Sequence, residues 1–389
     1  MKRALRGRGL RATLTVAAMV AAPLTTAGMS AHAAAHASPQ LPNACTMFRH
    51  AHRPGHFGGI VRAMPVKASL KARCRVHITS DPANGTPPLI WHGGAVMGTD
   101  STGPVVITPI FWSPADHPMD PAYENLITQY LGDVALDSGS HTNVFSTLTD
   151  YFGSNGAINY QVTLGTPISD TNGLPADGCI VAGNDTSNIY ADGSGYNACL
   201  DDAQIQAETD SVIDANGLTR DLAHIYVLYL PEGVESCFNP GSTTTSGNSC
   251  TINHQPSAAY CAYHSQGASS VIYANLPFPV YSSATGFTCG SDARFPVVES
   301  PNGNPDADVE ISPTSHEIME AITDPDVSTG WYDSRGFENG DECAYVFGAT
   351  QGNPGQLYNQ TINGNQYLTQ EEFSNNDFAV TGLGCLPFE

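Results

Sequence analysis

The chain has 389 residues, of which 41% are apolar, 8% aromatic and 13% charged, with 15 basic residues set against 37 acidic ones for a formal net charge of −22. A charged share about half the usual one, with 38 Gly and 27 Pro in no period, excludes a coiled coil, a collagen and a charge-driven disordered chain. The acidic balance excludes a basic nucleic-acid-binding face and electrostatic docking on anionic membranes, so neither nucleic acid nor a membrane is expected as a partner.

Lys2, Arg3, Arg6, Arg8 and Arg11 precede an apolar stretch, Thr13 to Ala27, and the small-residue site Ala31-His32-Ala33. This order predicts a signal peptide over residues 1–33 and a secreted, extracellular protein. The apolar run is too short, and too interrupted by Pro23, Thr25 and Thr26, to cross a bilayer. Residues 34–80 carry seven basic side chains and no acidic one, whereas from Asp81 onward all the acidic residues meet only Arg220, Arg294 and Arg335. Residues 34–85 are therefore expected to be a basic pro-segment or a plain linker, and residues 86–389 the folded domain. Pro82, Gly85, Pro87 and Pro88 mark the join.

Within that domain the β-branched run Gly103 to Trp112 predicts a buried strand. Apolar residues at three- and four-residue spacing predict helices over Pro121 to Leu136 and Val144 to Phe152. A short strand follows at Tyr160 to Leu164, then a polar amphipathic helix from Asp201 to Ala215 stopped by Asn216-Gly217. Leu222 to Leu230 reads as a central strand and Val271 to Leu276 as another, with residues 231–262 and 278–306 as loops. Asp306-Ala307-Asp308-Val309-Glu310 alternates like a strand edge or the start of a calcium loop. Ser312 caps a helix with Pro313 in its first turn, running to Thr323 and stopped by Pro325. The sum is a single α+β domain with a mixed sheet and a loop-rich C-terminal part.

The chain has ten cysteines, which in an exported protein predict disulfides. Cys45 and Cys74 lie in the basic segment. Nearest-neighbour pairing of the rest gives Cys179–Cys199, Cys237–Cys250 and Cys261–Cys289, with Cys343–Cys385 pinning the C-terminus.

Chemistry concentrates in His316-Glu317-Ile318-Met319-Glu320. Positions i and i+4 share one helix face, so His316 and Glu320 can converge on one ion, while Glu317, roughly 100° round the helix, can reach metal-bound water. This is the His-Glu-x-x-His arrangement of metalloproteases with Glu in place of the second His, an accepted zinc ligand that also suits harder divalent ions. Asp324, two turns on, is too far along the axis to share the ion. The third ligand is expected from beyond the Pro325 break, from Glu338, with Asp341 as support or alternative ligand and Cys343 holding their loop. His254 and His264, in the cysteine-stapled loop, could line the cleft, although isolated histidines there are more often surface or packing residues, and His92 reads as a turn residue. The chain lacks a nucleophile elbow, a Walker loop and a Rossmann fingerprint.

Pro301-Asn302-Gly303-Asn304, Asp308, His316-Glu317-x-x-Glu320-Ala321-x-Thr323-Asp324-Pro325, Trp331-Tyr332 and Glu338-x-x-Asp341-x-Cys343 together resemble the Exordium/phosphate-induced protein family. Trp91-His92-Gly93-Gly94, Ile225-Tyr226-Val227-Leu228, Cys261-Ala262-Tyr263-His264 and Cys385 agree in the same order, so the resemblance covers residues 90–389. It implies an extracellular protein, and its HExxE block is similar to that of zincin metallopeptidases. The expectation is a zincin-like domain acting as a secreted zinc peptidase on peptide or protein substrates, with His316, Glu320, Glu338 and Asp341 toward the metal and Glu317 as catalytic base. The alternative is a non-catalytic extracellular protein that binds cell-wall polymer or a protein partner.

Overall fold

The computed structural model describes residues 58–61, 88–179, 196–238, 250–251, 260–279, 281–282, 286–287, 289–290 and 298–385, all within the unit Leu41–Glu389. The expected signal peptide, most of the basic segment with Cys45 and Cys74, and His254 lie outside the described residues.

The strands that build the site's surroundings are β1 (Gly58–Val61), β2 (Val105–Trp112), β3 (Val162–Leu164), β4 (Ile168–Asp170), β5 (Ala198–Asp201), β6 (His224–Tyr229), β7 (Val234–Cys237), β8 (Ala262–Gln266) and β9 (Ile272–Leu276). The helices around the site are α1 (Pro121–Leu136), α2 (Asp202–Asn216), α3 (Pro305–Thr323) and the single turn α4 (Asn339–Glu342). The main sheet runs β1-β8-β9-β6-β2-β3, with β4 also beside β2. From β9 to β3 the pairing is parallel, whereas β8 joins β9, and β1 joins β8, antiparallel. This is the mixed sheet of an α+β protein.

Alternation along β6 explains the layering. Ile225, Val227 and Tyr229 face the core shared with α1 and α3, while Tyr226, Leu228 and Leu230 face the core shared with α2. Both faces of the central strands are dry, as parallel strands require, and each such side chain contributes roughly 1.5–3 kcal/mol by leaving water. Local sequence sets the helix ends. The Asp120 side chain accepts from the Ala122 amide ahead of Pro121. Asp201 and Gln204 form a reciprocal capping box on α2, which ends at Gly217 in the left-handed region at φ 62°. Asp202 in the first turn of α2 accepts from the hydroxyls of Tyr263 and Tyr273 at 2.7 and 2.6 Å, fixing β8 and β9 to that helix.

Four predicted elements are corrected. The helix expected from Ser312 begins seven residues earlier: Asn304 is the cap, accepting from the Ala307 amide at 3.2 Å, and Pro305 opens the first turn. Pro313 is thus internal, where it forfeits the bond to the Val309 carbonyl. Asp306 to Glu310 is accordingly helix, and Asp308 turns back to accept from the Ser300 hydroxyl and the Asn302 amide and side chain. Val144 to Asp150 is a 3₁₀ helix capped by Asn143, and Phe152 is already extended. Within residues 231–262, β7 pairs in parallel with β5. Finally, β8 was not foreseen as a strand.

All four expected disulfides of the domain are formed, which fits an oxidising, extracellular setting. Cys343–Cys385 closes a span of 42 residues, worth on the order of 4 kcal/mol by loop entropy. No helix among the described residues is long and apolar enough to cross a membrane.

Candidate metal centre

Helix α3 is buried on every side from Ala307 to Thr323, packed against β8, β9, α1 and α4. A helix in that position is normally apolar all round. This one buries Glu310, His316, Glu317 and Glu320, the last three with no accessible surface. Burying such groups is costly unless something pairs them.

His316 Nε2 and Glu320 Oε1 stand 2.8 Å apart, as one helical turn dictates. The contact lacks hydrogen-bond alignment, and His316 Nδ1 and Glu320 Oε2 also lack a hydrogen-bond partner. Ligand atoms sharing a tetrahedral zinc stand about 3.4 Å apart, so this pair would open by about 0.6 Å to hold one ion jointly. α4 then brings its acids over α3, and the Asp341 amide donates to Glu320 Oε1 at 2.9 Å. His316, Glu320 and Asp341 each offer a ligand atom within 4.8 Å of one another. Gly340 makes the approach possible: a Cβ there would sit 2.7 Å from the His316 ring, so any side chain at 340 would drive the imidazole off its position.

The second imidazole in the cluster belongs to His264, for which the sequence leaves a cleft-lining role open beside the commoner surface or packing one. It projects from β8 on the face that carries Ala262 and is fully buried. Its Nδ1 lies 3.2 Å from Glu317 Oε2 and 3.8 Å from Glu320 Oε2, and its Nε2 lies 3.8 Å from Glu338 Oε1 and 3.3 Å from the Asp324 carbonyl. His264, Glu317 and Glu320 form a second group with ligand atoms within 4.8 Å, so Glu320 is shared by two adjacent triads. The sequence signals for His264 are its place in the cysteine-stapled loop and its membership of the Cys261-Ala-Tyr-His264 block. Of the two loop acids, Asp341 joins the His316 triad, while Glu338, ranked first from sequence, faces His264 instead. Asp324 points away: its carboxylate accepts from the amides of Ser328, Thr329 and Gly330 and shapes the turn after the helix. His92 stacks on Tyr332 at 3.6 Å, outside the cluster.

The two histidines respond to the same surroundings in opposite directions. Burial pushes His264 down to about 4. Burial also works against a charged His316, but the pull of Glu320, Glu317 and Glu372 overrides it and holds that imidazole up to about 10. The field over His316 therefore favours positive charge. Burial raises Glu310 and Glu372 far above the ordinary carboxylate range. Two imidazoles and several carboxylates, with orphaned donor atoms on His316 and Glu320, form a donor set that fits a divalent cation. His264 in its neutral form has one N–H to share between Glu317 and the Asp324 carbonyl.

Comparison with protein-family models, with curated proteins and with solved structures gives no match.

Proposed function

We propose that the protein is an exported zincin-like peptidase, akin to the Exordium/phosphate-induced proteins its motifs resemble, that hydrolyses peptide bonds with a divalent ion, zinc first. The observation that carries the reading is the meeting of the two motif residues on α3 with Asp341 from beyond the proline break, at a point where buried donor atoms lack hydrogen-bond partners. His316, Glu320 and Asp341 would hold the ion. When bound, zinc lowers the pKa of its water and polarises a carbonyl.

The remaining roles fall to residues of the chain. Glu317 accepts the proton from the attacking water and passes it to the leaving amine. His264 positions the Glu317 carboxylate through its Nδ1 contact and is a positioning residue. Glu338 stands behind His264 and steadies that ring. Arg335 holds the loop that delivers Asp341, bridging Asp333 at 2.5 Å and Glu342 at 2.6 Å. The antiparallel strand β8, packed beside α3, supports the zincin-like reading of the fold.

The test is cleavage of an unfolded protein by the purified chain, with the chelator 1,10-phenanthroline added and then displaced by excess zinc. Cleavage should stop and return. A chain that cleaves nothing under any metal supports the alternative, a non-catalytic extracellular binding protein.

A further inference from the structure

We propose that Gly58–Val61 lies where an extended peptide substrate binds, so that the basic segment inhibits the site by adding a strand to the sheet. The proposal rests on the peptidase reading and specifies how that site takes its substrate.

Three observations meet at β1. First, it pairs antiparallel with β8, Gly58 opposite His264 and Val61 opposite Ala262. The other side of β8 is taken by β9. Without β1, the outer amides and carbonyls of β8 would form a bare edge, a ready template for an extended peptide. Second, the β8 residue facing β1 is His264, whose ring touches Glu317. A chain in the place of β1 therefore runs alongside the proposed general base. Third, β1 packs against both α3 and α4, the two elements that carry His316, Glu317, Glu320 and Asp341. Those side chains are buried, and β1 is one of the elements packed over the two helices that carry them.

The sequence fits this role. Gly58 and Gly59 bring only backbone to the position opposite His264. The register slips between the Gly58 and Val61 pairs, so β1 does not present a uniform ladder to the site as a substrate strand would. The segment around it carries seven basic residues and no acidic one, against a body with three basic and 37 acidic residues, which supplies a second, electrostatic hold. Removal of the segment after export would release the edge.

The test uses the full chain, its Ile60→Pro variant and an Ile60→Ala control. Proline deletes an amide donor and disfavours pairing, whereas alanine keeps the backbone. Hydrogen exchange should show the Ala262–Gln266 amides exchanging about tenfold faster or more in the proline variant. A labelled synthetic peptide of residues 54–65 (PGHFGGIVRAMP) should bind the proline variant at least about tenfold tighter than wild type, because the wild-type edge is filled, and binding should restore protection. A full chain with a protease site placed in residues 76–87, cut after folding, gives the same comparison if the proline chain does not fold. Equal exchange and equal peptide binding in all forms would overturn the proposal. Cleavage by the opened forms should exceed wild type about tenfold or more and be suppressed by the peptide. If edge and peptide behave as expected but no form cleaves anything, the peptidase reading fails and the inhibitory role falls with it, although the strand exchange stands. If all forms cleave equally, the peptidase reading survives and the inhibitor does not.

Discussion

Glu317→Gln is expected to lower peptide cleavage by about 10²–10⁴-fold, the usual yield of a positioned general base, with bound metal and fold unchanged. Gln has the shape of Glu and still meets His264 Nδ1, the 3.2 Å contact of the native carboxylate, but it cannot take a proton from water. The chelated ion, on this reading, is held by His316, Glu320 and Asp341. Steady-state kinetics with parallel metal analysis checks the pair of outcomes. A variant that loses its metal together with its activity would place Glu317 among the ligands, in the triad it forms with His264 and Glu320. The loss should fall on kcat, since Glu317 acts on the reacting water and not on substrate affinity.

The second large effect is on stability. Arg335→Ala should cost about 2 kcal/mol, less than the loss of one partner from a fully buried pair because the Arg335 side chain is 35% exposed, and lower the melting temperature by roughly 4–8 °C. Arg335 is one of three basic residues after Asp81. Its guanidinium forks between Asp333 and Glu342 and lies 4.5 Å over the Phe337 ring. Asp333 and Glu342 are 0% and 2% exposed, so the alanine variant leaves buried carboxylates without their cation. Arg335→Lys should rescue little, because an ammonium does not reproduce the two-pronged fork. Calorimetry of the three chains decides it. The loop tied down by Arg335 carries Glu338 and Asp341, so weaker metal retention should accompany the lower melting temperature.

Much of this architecture can be read locally. Val105–Trp112 and His224–Tyr229 are dense in β-branched and aromatic residues, α1 and α2 announce their ends with Asp120-Pro121 and Asp201, and nearest-neighbour spacing gives the four disulfides. The HExxE turn is also local, since an i,i+4 pair needs only a helix. What stayed hidden depends on tertiary contact. Pro313 reads as a helix start, but burial around α3 outweighs the lost hydrogen bond, and Asn304 is the cap. The β8 segment, Ala-Tyr-His-Ser-Gln, has no apolar alternation. It becomes a strand because β9 and β1 pair with it and because Tyr263 reaches Asp202. The encounter of His264 with Glu317 spans 53 residues and has no short-range signature. Glu338 and Asp341 were both within reach of the ion by sequence distance, and only the turn of α4 decides which of them meets His316. Gly58 and Gly59 have low strand propensity, so β1 exists through the edge it completes.

The most direct measurement is the metal content of the purified full chain after dialysis against metal-free buffer, beside His316→Ala. Wild type should retain about one divalent ion per chain, zinc foremost, and the variant little or none. Wild-type protein that carries no ion above the buffer background, or an ion retained undiminished by His316→Ala, would contradict a centre built on α3.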